Sequence, residues 1–284
     1  MDIKKVAVIG AGTMGHGIAQ VVASAGMEVS INDIKTEFLE LALSKIKGSL
    51  EKMESKGKID KQSKMDILSR IHCTTELSEA VRNADLVVEA APENLEIKKQ
   101  IFQQLDGLTD AKAILATNTS QYSITEIASV VKDASRVVGT HFFNPPVLMK
   151  LVEIVRGLAT SEGVLEAAKG FVSKLGKESV VCRDSQGFIS TRILVALRLE
   201  CYRLLEEGVA SMEDIDKTLR LAFGHPMGQF ELADFSGLDI EPPIFEGLAK
   251  IFGDRFRPPQ NILHLVKAGN YGRKSGKGWY DYKK

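Results

Sequence analysis

Apolar and polar positions follow two periods through the first two thirds of the chain and one period after that. Short apolar runs rich in β-branched residues recur at 6–9, 28–33, 71–74, 85–90, 113–118 and 136–140, the pattern of strands covered on both faces. Between them apolar positions fall at helical spacing over 14–25, 36–56, 61–69, 78–83, about 97–105 and 124–131, and the outer side of 36–56 is rich in Lys and Glu. Strand and helix alternating in this way predict an α/β fold with a doubly wound, mainly parallel sheet. The rhythm breaks at His141-Phe142-Phe143-Asn144-Pro145-Pro146. Two further strands are expected at 151–155 and 179–182, flanking a helix at 163–175. The two prolines impose an irregular turn, so the strand after them need not run parallel to the rest.

From Gly187 onward the period is helical throughout. A long apolar helix is expected at 188–207, another opens at Ser211-Met212-Glu213-Asp214, and loops are expected at 224–228 and 234–239. The chain therefore divides near 184–186, into a sheet domain over 1–184 and an all-α domain over 185–284. The 188–205 stretch is too apolar for an exposed face, so a subunit interface, and with it a homodimer, is expected to cover it.

The first strand runs directly into Gly10-Ala11-Gly12-Thr13-Met14-Gly15. Gly10 allows a sharp turn, Gly12 lets backbone approach a pyrophosphate, and Gly15 lets helix and strand pack closely. The phosphates would rest on the free N–H groups of the helix that follows. With 24 glycines in 284 residues such a match arises by chance, but the second strand ends in Asp33, 18 positions beyond Gly15. A carboxylate there takes the ribose hydroxyls and repels a 2′-phosphate, so a Rossmann-type site for NAD rather than NADP is expected.

Composition narrows the partners. Lys plus Arg equals Asp plus Glu at 37 each, so no overall field points to nucleic acid or to an anionic membrane. No apolar run approaches the ~20 residues of a membrane span. The first strand begins almost at once, which leaves no room for a leader and makes a cytoplasmic location the expectation. Cys73, Cys182 and Cys201 show neither C-x-x-C nor metal-ligand spacing. All three are expected to be buried reduced thiols, and no metal is expected.

In open α/β sheets, ligands bind beyond the carboxyl ends of the strands. Thr117-Asn118-Thr119-Ser120 closes the fifth strand and His141 the sixth, opposite the dinucleotide. Removing hydride from a secondary alcohol calls for a base near neutrality, and histidine suits it. Glu153, 12 residues on, lies in an apolar strand where an acid is costly without a partner. A turn at 144–146 is expected to fold it back beside His141 as a His-Glu pair, the alternative being a capped loop histidine and a strand-edge acid.

These stretches, with Lys150-Leu151-Val152-Glu153, Pro226-Met227-Gly228 and Gly272-Arg273-Lys274-Ser275-Gly276-Lys277-Gly278-Trp279-Tyr280, make the chain resemble the L-3-hydroxyacyl-CoA dehydrogenase family over essentially its whole length. The resemblance is greatest to the short bacterial members acting on 3-hydroxybutyryl-CoA in fatty acid or butanoate metabolism. It implies that His141 is the catalytic histidine, Glu153 the acid orienting it, and Ser120 the group holding the substrate's 3-oxygen. It further implies that Glu93, Lys98, Asn118, Ser120 and Lys274 contact NAD, while Ser49 and Lys56 grip the coenzyme A of an acyl-CoA substrate and Asn144 lies at the substrate. The family's Pro-Gly-Phe-Ile-Val-Asn-Arg is replaced here by Gln186-Gly187-Phe188-Ile189-Ser190-Thr191-Arg192. Thr191 therefore stands where an asparagine approaches the substrate, with a shorter reach and one donor fewer. A sugar-acid dehydrogenase of the L-gulonate type shares the His-Phe-Phe-Asn-Pro region, but Ser49 and Lys56 favour a thioester. A turnover-deficient NADH-binding module is disfavoured by the intact Ser120, His141 and Glu153.

Overall fold

A strand enclosed on both faces needs apolar side chains on both, and β1 (Lys5–Ile9) supplies them: Val6, Ala7 and Val8 are fully buried in the computed structural model, which describes residues 2–283. Val6 and Val8 join one core and Ala7 and Ile9 another, as the alternation of side chains along a strand requires. The chain continues through α1 (Gly15–Ser24), β2 (Glu28–Asn32), α2 (Thr36–Ser55), α3 (Lys61–Ser69), β3 (Ile71–Thr74), α4 (Leu77–Ala80), β4 (Leu86–Glu89), α5 (Leu95–Leu108), β5 (Ile114–Thr117), α6 (Ile124–Ala128) and β6 (Val137–Phe142). These six strands are all parallel, in the order β3-β2-β1-β4-β5-β6. The order reverses between β1 and β4, and such a reversal opens a crevice at the carboxyl ends of the strands.

After β6 the chain turns back. β7 (Leu151–Arg156) pairs antiparallel with β6, α7 (Glu162–Lys174) crosses over, and β8 (Glu178–Arg183) pairs parallel with β7 to complete an eight-stranded sheet. The antiparallel partner extends β6 beyond its expected end at Thr140. His141 and Phe142 find ladder partners in Glu153 and Val152, so His141 sits inside the strand and not in the loop after it.

One compact unit ends at Phe188 and a second begins at Ile189. The division falls past the expected 184–186 because Phe188 is buried in the core of the sheet unit. The second unit is helical: α8 (Ser190–Glu206), α9 (Met212–Phe223), α10 (Gln229–Ser236), α11 (Glu241–Phe252) and α12 (Gln260–Lys267). Its core gathers Leu199, Tyr202, Leu219, Phe230, Phe245 and Ile262. The apolar residues of α8 are thus covered differently from the expectation. Val195, Leu199, Cys201 and Tyr202 are buried inside their own unit, whereas Ile193 is 64% exposed.

Two buried aspartates tie down the end of the chain. Asp216 accepts the N–H groups of Phe230 and Glu231 and the hydroxyl of Tyr280. Asp234 accepts the N–H groups of Trp279 and Tyr280 and the hydroxyl of Tyr282. Asp234, Phe235 and Ser236 were expected in a loop, but they are the last turn of α10, which carries the Asp234 carboxylate toward these donors. Cys73 also departs from expectation: it is exposed because β3 is the sheet's edge strand. Cys201 is buried, and the loss of water pushes its thiol up to about 11, which leaves it inert. Among the described residues no helix is long and apolar enough to cross a membrane.

Removing the Asp234 carboxylate strands three donors. Asp234→Ala should lower the stability of the helical unit by on the order of 3 kcal/mol, the scale of lost bonds to a buried charge. Chemical denaturation should show the loss, and limited proteolysis should cut first within 271–283.

Candidate active site

The opening between β1 and α1 is shaped by backbone. Gly10 adopts φ +101°, and a Cβ on Gly15 would lie 1.7 Å from the Gly10 carbonyl oxygen, so strand and helix meet there without a side chain between them. A Cβ on Gly12 would meet nothing within 4 Å. The N-terminus of α1 has no side-chain cap and no acid in its first turn. Its N–H groups are therefore open to an anion, and the pyrophosphate of a dinucleotide suits that opening. Asp33, just after β2, accepts the Ala11 N–H at 2.7 Å through one oxygen and the Ile34 N–H at 2.7 Å through the other. It thus braces the glycine-rich loop as well as placing a negative charge beside it. His16 Nδ1 lies 2.6 Å from the Gly12 carbonyl and closes the loop from its other side.

A second cluster joins the carboxyl ends of β4 and β5. Glu89, fully buried, accepts the Thr117 hydroxyl at 2.6 Å, the Ala91 N–H at 2.8 Å and the Lys98 ammonium at 2.9 and 3.2 Å. Lys98 reaches on to Glu93 at 3.1 Å. The other oxygen of Glu93 accepts the Thr119 hydroxyl at 2.6 Å, the Ser120 N–H at 2.9 Å and the Ser120 hydroxyl at 3.2 Å. Glu89 had no expected role. It ends an otherwise apolar strand in Leu86-Val87-Val88, the same signal of an acid needing a partner that singles out Glu153.

The third group is the His-Glu pair. His141 and Glu153 stand directly opposite each other across β6 and β7, and Nδ1 lies 2.7 Å from Glu153 Oε2. Opposed side chains of an antiparallel pair start only about 4.5–5.5 Å apart at Cβ, which is why two short groups can meet there. A carboxylate accepts, so Nδ1 carries the proton and Nε2 keeps the lone pair. The rings of Phe143 and Phe188 flank the imidazole at 4.7 and 6.0 Å. Asn118 accepts the Phe142 N–H at 2.9 Å and ties β5 to this end of β6.

The turn after His141 contains a cis Asn144-Pro145 bond and is held from two sides. Lys177 donates to the carbonyls of Pro146 and Met149, both at 2.6 Å, and burial holds its ammonium below the usual lysine range. A Cβ on Gly17 would lie 2.9 Å from Pro146 Cδ, so α1 packs directly against the turn. Gly17 and Lys177 carried no sequence signal, because their partners are remote in the chain.

The remaining expected residues stand elsewhere. Ser49 is half-buried on α2 and Lys56 exposed just after it, while Asn144 is exposed in the proline turn. Thr191 and Lys274 belong to the helical unit, where Lys274 pairs with Asp239.

Comparison with known proteins shows the family. Residues 5–185 match the family described as 3-hydroxyacyl-CoA dehydrogenase, NAD binding domain, and residues 187–282 match 3-hydroxyacyl-CoA dehydrogenase, C-terminal domain. The 3-hydroxybutyryl-CoA dehydrogenase of Bradyrhizobium diazoefficiens is 43% identical over 99% of this chain and 96% of its own. A probable 3-hydroxybutyryl-CoA dehydrogenase of Bacillus subtilis is also 43% identical, over 99% of this chain and 98% of its own. The crystal structure of (S)-3-hydroxybutyryl-CoA dehydrogenase from Ralstonia eutropha superposes with a TM-score of 0.96 at 39% identity, covering 100% of both chains.

Asp33 braces the glycine-rich loop in this geometry, so Asp33→Ala should not simply convert a nucleotide preference. NADH binding should weaken by about tenfold, the worth of one charge-assisted bond, and NADPH binding should change little. Titration of protein fluorescence with each nucleotide measures both.

Proposed function

The chain belongs to the 3-hydroxyacyl-CoA dehydrogenase family, and from that premise we propose that it interconverts L-3-hydroxyacyl-CoA and 3-oxoacyl-CoA, with 3-hydroxybutyryl-CoA and acetoacetyl-CoA as its principal pair. The observation that carries this reading is the imidazole of His141 held by Glu153 at 2.7 Å in an enclosed strand pair. Gly10, Ala11, Gly12, Thr13, Met14, Gly15 and Asp33 would hold NAD, which would accept hydride in oxidation and, as NADH, donate it in reduction. In oxidation Nε2 of His141 takes the proton of the 3-hydroxyl as hydride leaves C3, and in reduction the imidazolium returns it to the 3-oxygen. Glu153 keeps the ring oriented and stabilises the positive charge that forms on it. Ser120, whose hydroxyl donates to Glu93 at 3.2 Å, turns that proton to the 3-oxygen to hold it. Glu93, Asn118 and Lys274 serve the dinucleotide, Ser49 and Lys56 the coenzyme A, and Asn144 and Thr191 the acyl end. Fatty acid or butanoate metabolism is the setting in which such a pair is turned over.

The same reading places the protein in the cytoplasm as a homodimer. The exposed apolar side chains Leu221 and Phe223, 77% and 68% accessible at the end of α9, together with Ile193, give the helical unit a surface suited to a second copy.

Acetoacetyl-CoA should drive loss of NADH absorbance, and inactivity with this substrate would sink the proposed reaction. His141→Gln should cost about 10²–10⁴ in kcat, the span of a general base, with little change in NADH affinity. Since Glu153 acts through His141, the loss in His141→Gln/Glu153→Gln should fall well short of the product of the single losses. Steady-state kinetics on the three variants tests this, and multiplicative losses would show separate roles. Sedimentation at micromolar concentration should give twice the 31.1 kDa chain mass, and Phe223→Glu should shift the protein toward monomer.

A further inference from the structure

Phe142 and Val152 are the last opposed pair of β6 and β7, and residues 143–151 between them have no ladder partner on β6. Pro145 and Pro146 bring no N–H to this turn, and the N–H groups of Leu148 and Met149 both go to the Pro145 carbonyl, at 3.0 and 3.1 Å. The carbonyls of Pro146 and Met149 are taken from outside the turn, each by the Lys177 ammonium at 2.6 Å. The residue after Lys177 extends the grip. Glu178 gives its backbone N–H to the Lys150 carbonyl at 2.9 Å, where the ladder between β7 and β8 begins. Both acceptors of Lys177 are uncharged, and an ammonium drawn out of water toward uncharged partners is a costly support for a loop.

We propose that Lys177 is a positioning residue for the proton transfer: by seating the start of β7 it keeps Glu153 opposite His141, and so decides which ring nitrogen of His141 carries the proton. Glu153 follows closely on Met149 and Lys150, the two residues whose carbonyls Lys177 and Glu178 hold. Side chains alternate along a strand, so a slip of one residue at the start of β7 would turn Glu153 to the other face of the sheet. A smaller shift would lengthen the 2.7 Å bond to Nδ1. A neutral imidazole carries its proton on either nitrogen, and the acceptor beside Nδ1 settles which. With that acceptor displaced, part of the population holds the proton on Nε2, which then has no lone pair for a substrate hydroxyl. Lys177 acts here through the turn and Glu153, and a misplacement of this kind costs turnover steeply even though no reacting group is removed.

Only the kinetic arm of the test rests on the dehydrogenase reading; nitrogen NMR of the His141 ring requires no reaction. Wild type, Lys177→Met, Glu153→Gln and the double variant are compared, with the His141 signals assigned by their absence in His141→Gln. At a pH where the ring is neutral, wild type should show the proton on Nδ1, whereas Lys177→Met and Glu153→Gln should each show a mixture of the two tautomers. Lys177→Met should lower kcat with acetoacetyl-CoA about tenfold or more, the scale of a small misplacement, and by less than about twofold once Glu153 is Gln, as expected for residues acting as one unit. NADH affinity from fluorescence titration should change by less than about twofold in each variant. Lys177→Arg, whose fork also reaches two acceptors, should restore the Nδ1 proton and most of kcat. A single Nδ1 tautomer in Lys177→Met would overturn the proposal whatever the activity, and so would a kcat loss undiminished beside Glu153→Gln. A loss of NADH affinity as large as the loss of kcat would assign Lys177 to the glycine-rich opening instead and would also overturn it. If Lys177→Met does not fold, Lys177→Gln, shorter and uncharged, takes its place with the same expectations. A wild-type chain inactive on acetoacetyl-CoA would count against the proposed reaction, and the NMR arm would still decide the role of Lys177.

Discussion

A carboxylate enclosed by protein must receive donors when it loses water, and Glu89, Glu153, Asp216 and Asp234, each with 0% exposure, meet that demand at four fixed points of this fold. The donors differ, and so do the consequences. Glu153 takes a ring N–H, which leaves the other ring nitrogen of His141 with its lone pair. Glu89 takes an ammonium, a hydroxyl and a backbone amide, and so joins two strand ends and a helix. Asp216 and Asp234 take backbone amides and tyrosine hydroxyls, and so fasten the chain terminus to the helical unit.

The antiparallel turn after β6 is where the glycine-rich opening and the His141-Glu153 pair are linked. A parallel continuation would have carried Glu153 to another strand end by a crossover, far from His141. Reversal at Asn144-Pro145-Pro146 instead sets the two residues in register, and the turn itself rests on α1 through Gly17 and on Lys177. The helix whose N-terminus suits a pyrophosphate therefore also supports the turn that returns Glu153 to His141. Asn118 adds a third support from β5.

Burial in the sheet unit and in the helical unit follows different logic. In the sheet, apolar residues fill both faces, and among the buried polar groups Glu89 and Thr117 stand at strand ends and Ser30, His141 and Glu153 within strands. In the helical unit, charge runs through the core: Arg198 donates to Gln229 and pairs with Glu241, which also accepts the Tyr202 hydroxyl. Burial raises the Glu241 carboxyl, and the Arg198 guanidinium opposes it. That interior network covers the polar side of α8 within the unit itself, while Ile193, Val209, Leu221, Phe223, Phe235 and Ile251 are among the aliphatic and aromatic side chains that reach solvent.

Local order in the sequence determined what depends on neighbours along the chain. The six parallel strands, the glycine-rich turn, the acid at Asp33 and the break at the two prolines were all legible, because strand period, backbone freedom at glycine and the missing donor of proline are properties of short segments. Glu153 was legible as an acid in need of a partner, and His141 as the residue best suited to be one. The tertiary structure alone decided whom each buried charge meets. The antiparallel register that sets His141 opposite Glu153, the Glu89-Lys98-Glu93 chain beneath Ser120, the packing of Gly17 on Pro146 and the exposure of Cys73 on an edge strand join or separate residues by strand order and helix placement. Those are set by the balance of burial over the whole sheet, which no window of sequence contains.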